Sequence, residues 1–203
     1  MRHYRTLLLA LFLPLLLDAC ASLTPPKVEP TLTLPSEERT QVLQSLKEWQ
    51  ASGSASIQTP QGSESFSYRW RQSPSHQELS IYDPLGRTVA RLTASPDGAE
   101  LQTIDGKREK AESLEVLLDD VLHVQLPARE LPLWMLGLTN GASAVHRDAQ
   151  GLPETLSRGA WDIHYLRYAA VGGLQMPSLL QADGPDGVRL RLAVTRWQLG
   201  ADS

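Results

Sequence analysis

The sequence predicts a mainly β domain of the α+β class: an incomplete, strongly curved antiparallel β-barrel, with helices covering or filling its open side around a hydrophobic cavity. Three observations predict it. Apolar and polar residues alternate in several short segments, as half-buried strands require. Turn-forming clusters separate those segments, at Thr59-Pro60-Gln61-Gly62, Ser73-Pro74, Pro96-Asp97-Gly98 and Asp105-Gly106. Few stretches carry a helical pattern, so the sheet must bend on itself to bury its apolar face. A sheet wrapped around apolar side chains need not pack them to full density, and small barrels hold one small ligand.

The chain opens with Arg2 and Arg5, followed by a short apolar run from Thr6 to Leu17 interrupted only by Pro14. Crossing a bilayer as a helix takes about twenty apolar residues, so this run is too short to span. A basic start, a short apolar core and a small residue before a cleavage point make a secretory leader. Leu17-Asp18-Ala19-Cys20 resembles the bacterial lipobox, although Asp18 departs from the alanine or serine usual at that position. The resemblance implies that residues 1–19 are a lipoprotein signal peptide and that Cys20 becomes the lipid anchor, carrying a covalent N-acyl diglyceride. Ala21 resembles the outer-membrane class of such proteins, since an aspartate there favours inner-membrane retention. Cys20 is the only cysteine among 203 residues, so no intrachain disulfide is possible.

Residues 20–36 follow as lipidated cysteine and extended tether, rich in Pro, Thr and Ser without a sustained period. Residues 37–203 form one domain, since the roughly 180 residues of the mature chain suffice for a single core. Ser36 is a suitable N-cap, Glu37 and Glu38 suit a first turn, and Val42, Leu46 and Trp49 recur at helical spacing, predicting a helix over 37–50. From Ala51 the period becomes two. Phe66, Tyr68 and Trp70 alternate with Ser65, Ser67, Arg69 and Arg71; Leu79 with Ile81, Val89–Leu92 and Leu101–Ile104 continue the meander. Leu114, Leu117, Leu118, Val121 and Leu122 predict a second helix over 113–123, capped by Ser113. Residues 131–138 read as a buried helical turn. Strands then return: Trp161, Ile163 and Tyr165 share one face, with His164, Leu166 and Tyr168 on the other. Val188, Leu190, Leu192 and Val194 alternate in a last strand that Trp197 closes.

The formal net charge of −4 provides no electrostatic footprint for nucleic acid. The chain contains no G-x-S-x-G, no H-E-x-x-H and no Gly-rich phosphate loop. His76, His123, His146 and His164 lack ligand-like spacing, and Asp119-Asp120 reads as the solvated face of a leucine-lined helix. Asp162 and His164 share a strand face without a nucleophile beside them. No catalysis, metal or cofactor is expected.

Two features carry more. Asp83-Pro84-Leu85-Gly86 joins two strands through a tight turn, with Pro presetting φ and Gly relieving the close. That chemistry puts Leu85 at the tip, either folded back on its own hairpin or displayed for use. The tryptophans Trp49, Trp70, Trp134, Trp161 and Trp197 are spread through almost every element, either as core packing or as cavity wall.

In order and spacing these residues resemble the LolB family of outer-membrane lipoprotein receptors over nearly the whole mature chain. The likeness includes the lipobox, Trp49 followed by Gly53, Phe66-x-Tyr68-x-Trp70 and Asp83–Gly86. It continues through Leu131-Pro132-Leu133 with Trp134 to Gly137, Trp161 with Ile163 and Tyr165, Met176-Pro177, and the strand ending at Trp197. The resemblance implies a monomeric receptor on the periplasmic side of the outer membrane that takes lipoproteins from the soluble carrier LolA. It shelters their acyl chains in a cavity and delivers them to the inner leaflet of the outer membrane. It implies further that Asp83, Pro84, Leu85 and Gly86 are a membrane-insertion loop. Candidates for the cavity wall are Phe66, Tyr68, Trp70, Trp134, Trp161 and Trp197. Two other classes remain: an assembly lipoprotein that binds protein partners, which needs a filled core, and a periplasmic enzyme, which needs a polar cleft.

Overall fold

The computed structural model describes residues 34–122 and 125–200. The leader, Cys20 and most of the tether lie outside the described residues, as does His123. Helix α1 spans Ser36–Ser45, not 37–50, and Pro35 rather than Ser36 takes the cap position, its carbonyl accepting the Arg39 N–H at 2.9 Å. The physical reason for the early end is that Val42, Leu46 and Trp49 do not form one buried stripe. Val42 is exposed, and the buried residues of α1 are Arg39 and Leu43. Leu46 turns extended, with its N–H on the Leu43 carbonyl, and Trp49 starts a strand in which it is buried by alternation with Ala51.

Eleven strands follow: β1 Trp49–Thr59, β2 Gly62–Gln72, β3 Gln77–Tyr82, β4 Thr88–Ser95, β5 Gly98–Thr103, β6 Arg108–Ala111, β7 Ala144–Arg147, β8 Pro153–Arg158, β9 Trp161–Val171, β10 Leu174–Asp183 and β11 Arg189–Leu199. Helices α2 (Leu114–Leu122) and α3 (Leu131–Leu136) separate the first six from the last five. Ser113 caps α2, its hydroxyl accepting the Val116 N–H at 3.3 Å. All strands lie in one antiparallel sheet of order β6-β5-β4-β3-β2-β1-β11-β10-β9-β8-β7. The chain thus runs out along one arm and returns along the other, and the first and last strands pair at the centre. The outermost strands β6 and β7 do not pair with each other, so the barrel is incomplete. Both are four residues long and carry charged side chains, which discourages pairing with another chain.

The central pair comes unusually close. A Cβ on Gly53 would lie 1.8 Å from the Ala193 carbonyl oxygen, at the point where the register between β1 and β11 shifts. A second irregularity corrects the sequence reading of β9. Tyr165 pairs with Leu180 and Arg167 with Leu179, so Leu166 is bulged out of the ladder. The bulge reverses the parity. Tyr168 therefore turns to the Tyr165 side, the two rings 5.9 Å apart, and its hydroxyl donates to the Pro153 carbonyl at 2.6 Å. The strand predicted over Leu101–Ile104 also ends early, at Thr103, and Ile104 belongs to the following turn.

Helices cover the inner face: α2 packs on β5 and β6, and α3 on β10. Under α3 the core is solid, with Trp134, Met135, Ile163, Met176 and Leu180 all within 1 % of complete burial. No helix among the described residues is long and apolar enough to cross a membrane.

Candidate functional site

The turn at 83–86 is rigid and its tip is bare. The Asp83 carboxylate accepts the N–H groups of Leu85 at 2.9 Å and Arg87 at 3.0 Å, and its other oxygen pairs with the Arg87 guanidinium at 2.7 Å. These donors, the Arg87 backbone N–H first, hold the Asp83 carboxyl below its ordinary range. Gly86 closes the turn with φ of +80°, a conformation that costs a residue with a Cβ. Leu85 is 80 % exposed, the highest value among the large apolar residues described. It does not fold back on its hairpin.

Along the inner face of the strands that this turn joins lies an apolar cavity of about 290 Å³. Its walls are the inward positions of β1 to β5 and β11, among them Ile57, Phe66, Leu79, Ile81, Leu92 and Leu192, and α2 closes it with Leu114 and Leu118. Gln77 and Thr103 are its only polar residues apart from the tips of Tyr68 and Trp70. Strand alternation builds it directly, because nearly every inward residue of six neighbouring strands is apolar and points to the same side. The α2 helix contributes leucines one turn apart, which face the sheet together.

The six aromatic candidates divide. Phe66, Tyr68 and Trp70 line the cavity. Trp134, Trp161 and Trp197 do not, and the reason is that α3 and β10 fill their half of the inner face. Trp134 packs on Trp161 with ring centroids 5.7 Å apart, and Trp197 packs edge-on to Trp49 at 5.4 Å. The Trp197 indole N–H donates to the Pro177 carbonyl at 3.0 Å, a satisfied structural contact. Along the cavity wall, burial pushes the Tyr68 phenol far above its ordinary range, so it stays neutral. Neither its hydroxyl nor the Trp70 indole N–H has a hydrogen-bond partner among the described residues. Sequence reasoning missed Leu79, Ile81, Leu92, Leu114 and Leu118 as wall residues, although their alternation and helical spacing were visible.

Polar chemistry does not converge anywhere near the cavity. Asp162 accepts the Ser157 hydroxyl at 2.6 Å, while His164 stands 3.7 Å from Asp183, so the two residues serve different partners. Asp119 and Asp120 are exposed on α2. Among the described residues no group of three His, Cys, Asp or Glu side chains is arranged to hold a metal ion.

A greasy chamber closed by a leucine-faced helix, on strands whose connecting turn carries a bare apolar tip, can shelter a hydrocarbon chain beside a membrane. Comparison with known proteins agrees with that chemistry. The sequence profile described as "Outer membrane lipoprotein LolB" matches residues 47–197. The chain is 34 % identical over 195 residues to the outer-membrane lipoprotein LolB of Stutzerimonas stutzeri, covering 94 % of each sequence. It is 33 % identical over 197 residues to the one from Alkalilimnicola ehrlichii, covering 95 % of this chain and 96 % of the relative. In fold it is similar to an outer membrane lipoprotein-sorting protein domain from Vibrio parahaemolyticus. That match has a TM-score of 0.54 at 9 % identity and covers 80 % of this chain and 89 % of the other. It is also similar to a LolA superfamily protein from Nitrosomonas europaea, with a TM-score of 0.50 at 9 % identity, covering 84 % and 96 %.

Proposed function

This chain belongs to the outer membrane lipoprotein LolB family, and from that premise we propose that it is the outer-membrane receptor that ends lipoprotein sorting. It takes a lipoprotein from the periplasmic carrier LolA, holds the acyl chains in its own cavity and releases them into the inner leaflet of the outer membrane. The observation that carries this reading is the cavity itself. It is lined almost wholly by apolar side chains and runs along the inner face of β3 and β4, the two strands that the Leu85 turn joins. A filled core would have favoured an assembly lipoprotein, and a polar cleft an enzyme.

The steps need neither nucleotide nor bond chemistry. Acyl chains contribute about 0.8 kcal/mol per buried CH₂, so they move downhill if each successive host is more apolar or less strained. The cavity of about 290 Å³ lies at the small end of ligand pockets, so α2 must yield as acyl chains enter. Within the cavity, Phe66, Tyr68 and Trp70 are flat walls against which a chain can lie. Two membrane contacts then divide the work. The acylated Cys20 holds the receptor on the bilayer, because one leucine, worth about 1.5–3 kcal/mol on burial, cannot. Leu85 acts locally, disturbing the bilayer next to the cavity so that cargo can leave.

The test uses a radiolabelled lipoprotein bound to the carrier. Wild-type receptor takes the label and passes it to vesicles. Leu85→Glu folds, stays anchored and takes the label, but holds it. Normal delivery by Leu85→Glu overturns the role of the loop, and failure of the wild type to take label overturns the receptor reading. A Cys20→Ala version still accepts cargo and loses only its fixed address.

A further inference from the structure

The loop at 83–86 has a structural twin. Gly86 donates to the Asp83 carbonyl at 2.9 Å while the Asp83 N–H donates to Arg87 at 3.0 Å. In the β5–β6 hairpin, Gly106 donates to the Thr103 carbonyl at 3.0 Å and the Thr103 N–H donates to Lys107 at 3.0 Å. Gly86 and Gly106 have φ of +80° and +84°. Both are four-residue turns closed by a left-handed glycine, and both are stiffened at their base. Thr103 does this through its hydroxyl bond to the Asp105 carboxylate, as Asp83 does through its own carboxylate.

The twin also carries an apolar tip. Ile104 is 66 % exposed, second only to Leu85 among the large apolar residues described. The strand registers put both turns at one end of the sheet. A backbone bond from the Ile104 N–H to the Val89 carbonyl, 2.9 Å, ties the second turn to the strand that leaves the first. A third turn of the same build provides a control. Gly151 donates to the Asp148 carbonyl at 3.0 Å and the Asp148 N–H donates to Leu152 at 2.9 Å, with Gly151 at φ +80°. It lies at the opposite end of the sheet, between β7 and β8, and its tip is Ala149 and Gln150. The turn chassis therefore does not call for a large apolar tip.

We propose that Ile104 is a second membrane-insertion point, entering the same leaflet as Leu85, so that the receptor meets the bilayer on two adjacent hairpin tips. This rests on the receptor reading above. The bilayer is the occupant the observations favour, because two single side chains on separate convex turns offer far less area than a stable protein partner needs. Lipid accepts isolated side chains one at a time. Arg87 is paired with Asp83 on its own turn and Lys107 with Glu109 on the adjoining β6, while Asp105, which stands in the second turn where Leu85 stands in the first, is held back to the turn base by the Thr103 hydroxyl. Thr103, next to Ile104, lines the cavity, and so does Ile81 on the strand that leads into the Leu85 turn. Two anchors fix the tilt of the receptor, which one cannot, and hold the rim against the lipid while acyl chains cross.

The experiment uses the full-length lipidated protein in phosphatidylethanolamine–phosphatidylglycerol vesicles. Its single native thiol is consumed by the anchor, so Leu85→Cys, Ile104→Cys and Gln150→Cys can each be labelled with a polarity-sensitive fluorophore. Nitroxide-bearing lipids are expected to quench the labels at 85 and 104 and to spare the one at 150. Delivery of lipoprotein by Ile104→Glu should fall roughly tenfold or more while acceptance from the carrier is unchanged. If the label at 104 stays as water-exposed as that at 150 while the label at 85 is quenched, the second insertion point is overturned and the receptor reading stands. If neither 85 nor 104 is quenched, the insertion loop fails as well. If Ile104→Glu impairs acceptance instead of delivery, the tip contacts the carrier and the proposal is wrong.

Discussion

Buried beneath α1, Arg39 donates through Nη2 to the Leu136 carbonyl at 2.9 Å, and so ties the first helix to the last turn of α3. Its Nε donates to the Gln175 carbonyl on β10 at 2.5 Å, and the guanidinium lies 5.7 Å from the Tyr168 ring centre. Among the described residues, carbonyls and a ring are what this cation meets. Burial lowers the pKa of the guanidinium, first through lost solvation, but an arginine still carries its charge there. Arg39→Leu should therefore take the donor from one buried and one half-buried carbonyl and destabilise the domain by about 2–4 kcal/mol. Arg39→Lys should recover part of that, since one ammonium cannot match the fork. Urea unfolding measures both, and an unchanged midpoint for Arg39→Leu would show that the contact is incidental.

Gly53→Ala should be among the most damaging single-methyl changes in the chain. The added Cβ would meet the Ala193 carbonyl oxygen at 1.8 Å, and that oxygen belongs to the backbone of the central strand pair. Relief requires β1 and β11 to part where their register already shifts, next to the bond from the Thr195 hydroxyl to the Ser52 carbonyl at 3.1 Å. A loss of about 2 kcal/mol or more is expected. Urea unfolding of Gly53→Ala beside Ser54→Ala, its exposed neighbour, separates the clash from the small change in side chain.

Much of this fold is local and therefore readable. Phe66, Tyr68 and Trp70 alternate without a break, and the strand and its inner face follow from period two alone. Elements whose burial depends on distant partners were harder. β7 has no buried residue, and β10 is broken by a bulge beside Pro177, so neither shows a clean alternation. Trp49 fell at helical spacing after Leu46, yet it packs against Trp70 and Trp197, which come from strands far along the chain. The same limit governs the tryptophans. Parity puts Trp161 and Trp70 on inner faces alike, but only the position of α3 decides which half of the barrel is filled. Leu85 was legible because its turn chemistry is complete within four residues; Ile104 was not, because the alternation of Leu101–Thr103 runs straight into it.

Acid should loosen the insertion loop. The Asp83 carboxyl has its pKa lowered in the folded protein, first by the Arg87 backbone N–H, so the ionised form is the one that the turn favours. Its contribution is fully present above the ordinary carboxylate value of 3.8 and is lost as pH falls through the lower folded value. The loop is thus ordered across the neutral range and gives way only on the acid side. Amide exchange at Leu85 and Arg87 should speed up there in the wild type. In Asp83→Ala it should be fast at every pH, and delivery should slow as Leu85 loses its fixed orientation. Equal exchange in the two proteins at neutral pH would show that Gly86 and the backbone bonds hold the turn unaided.

Filling the cavity should separate binding from stability. Leu92 is a buried residue of the cavity wall, while Leu180 lies in the solid half at 1 % exposure. Leu92→Trp extends into that space of about 290 Å³, so it should leave stability unchanged or raise it, because recovered cavity volume is worth about 24 cal/mol per Å³. Leu180→Trp has no room and should cost about 1–3 kcal/mol through overpacking. Uptake of labelled lipoprotein should move the other way. Leu92→Trp occupies the volume an acyl chain needs and should cut acceptance strongly in a well-folded protein. Leu180→Trp should keep acceptance in whatever fraction remains folded. Urea unfolding and carrier-to-receptor transfer, run on both variants, read the two quantities independently. If Leu92→Trp is stable and still accepts cargo at the wild-type rate, the acyl chains do not enter this cavity, and the surface of the protein rather than its interior must shelter them.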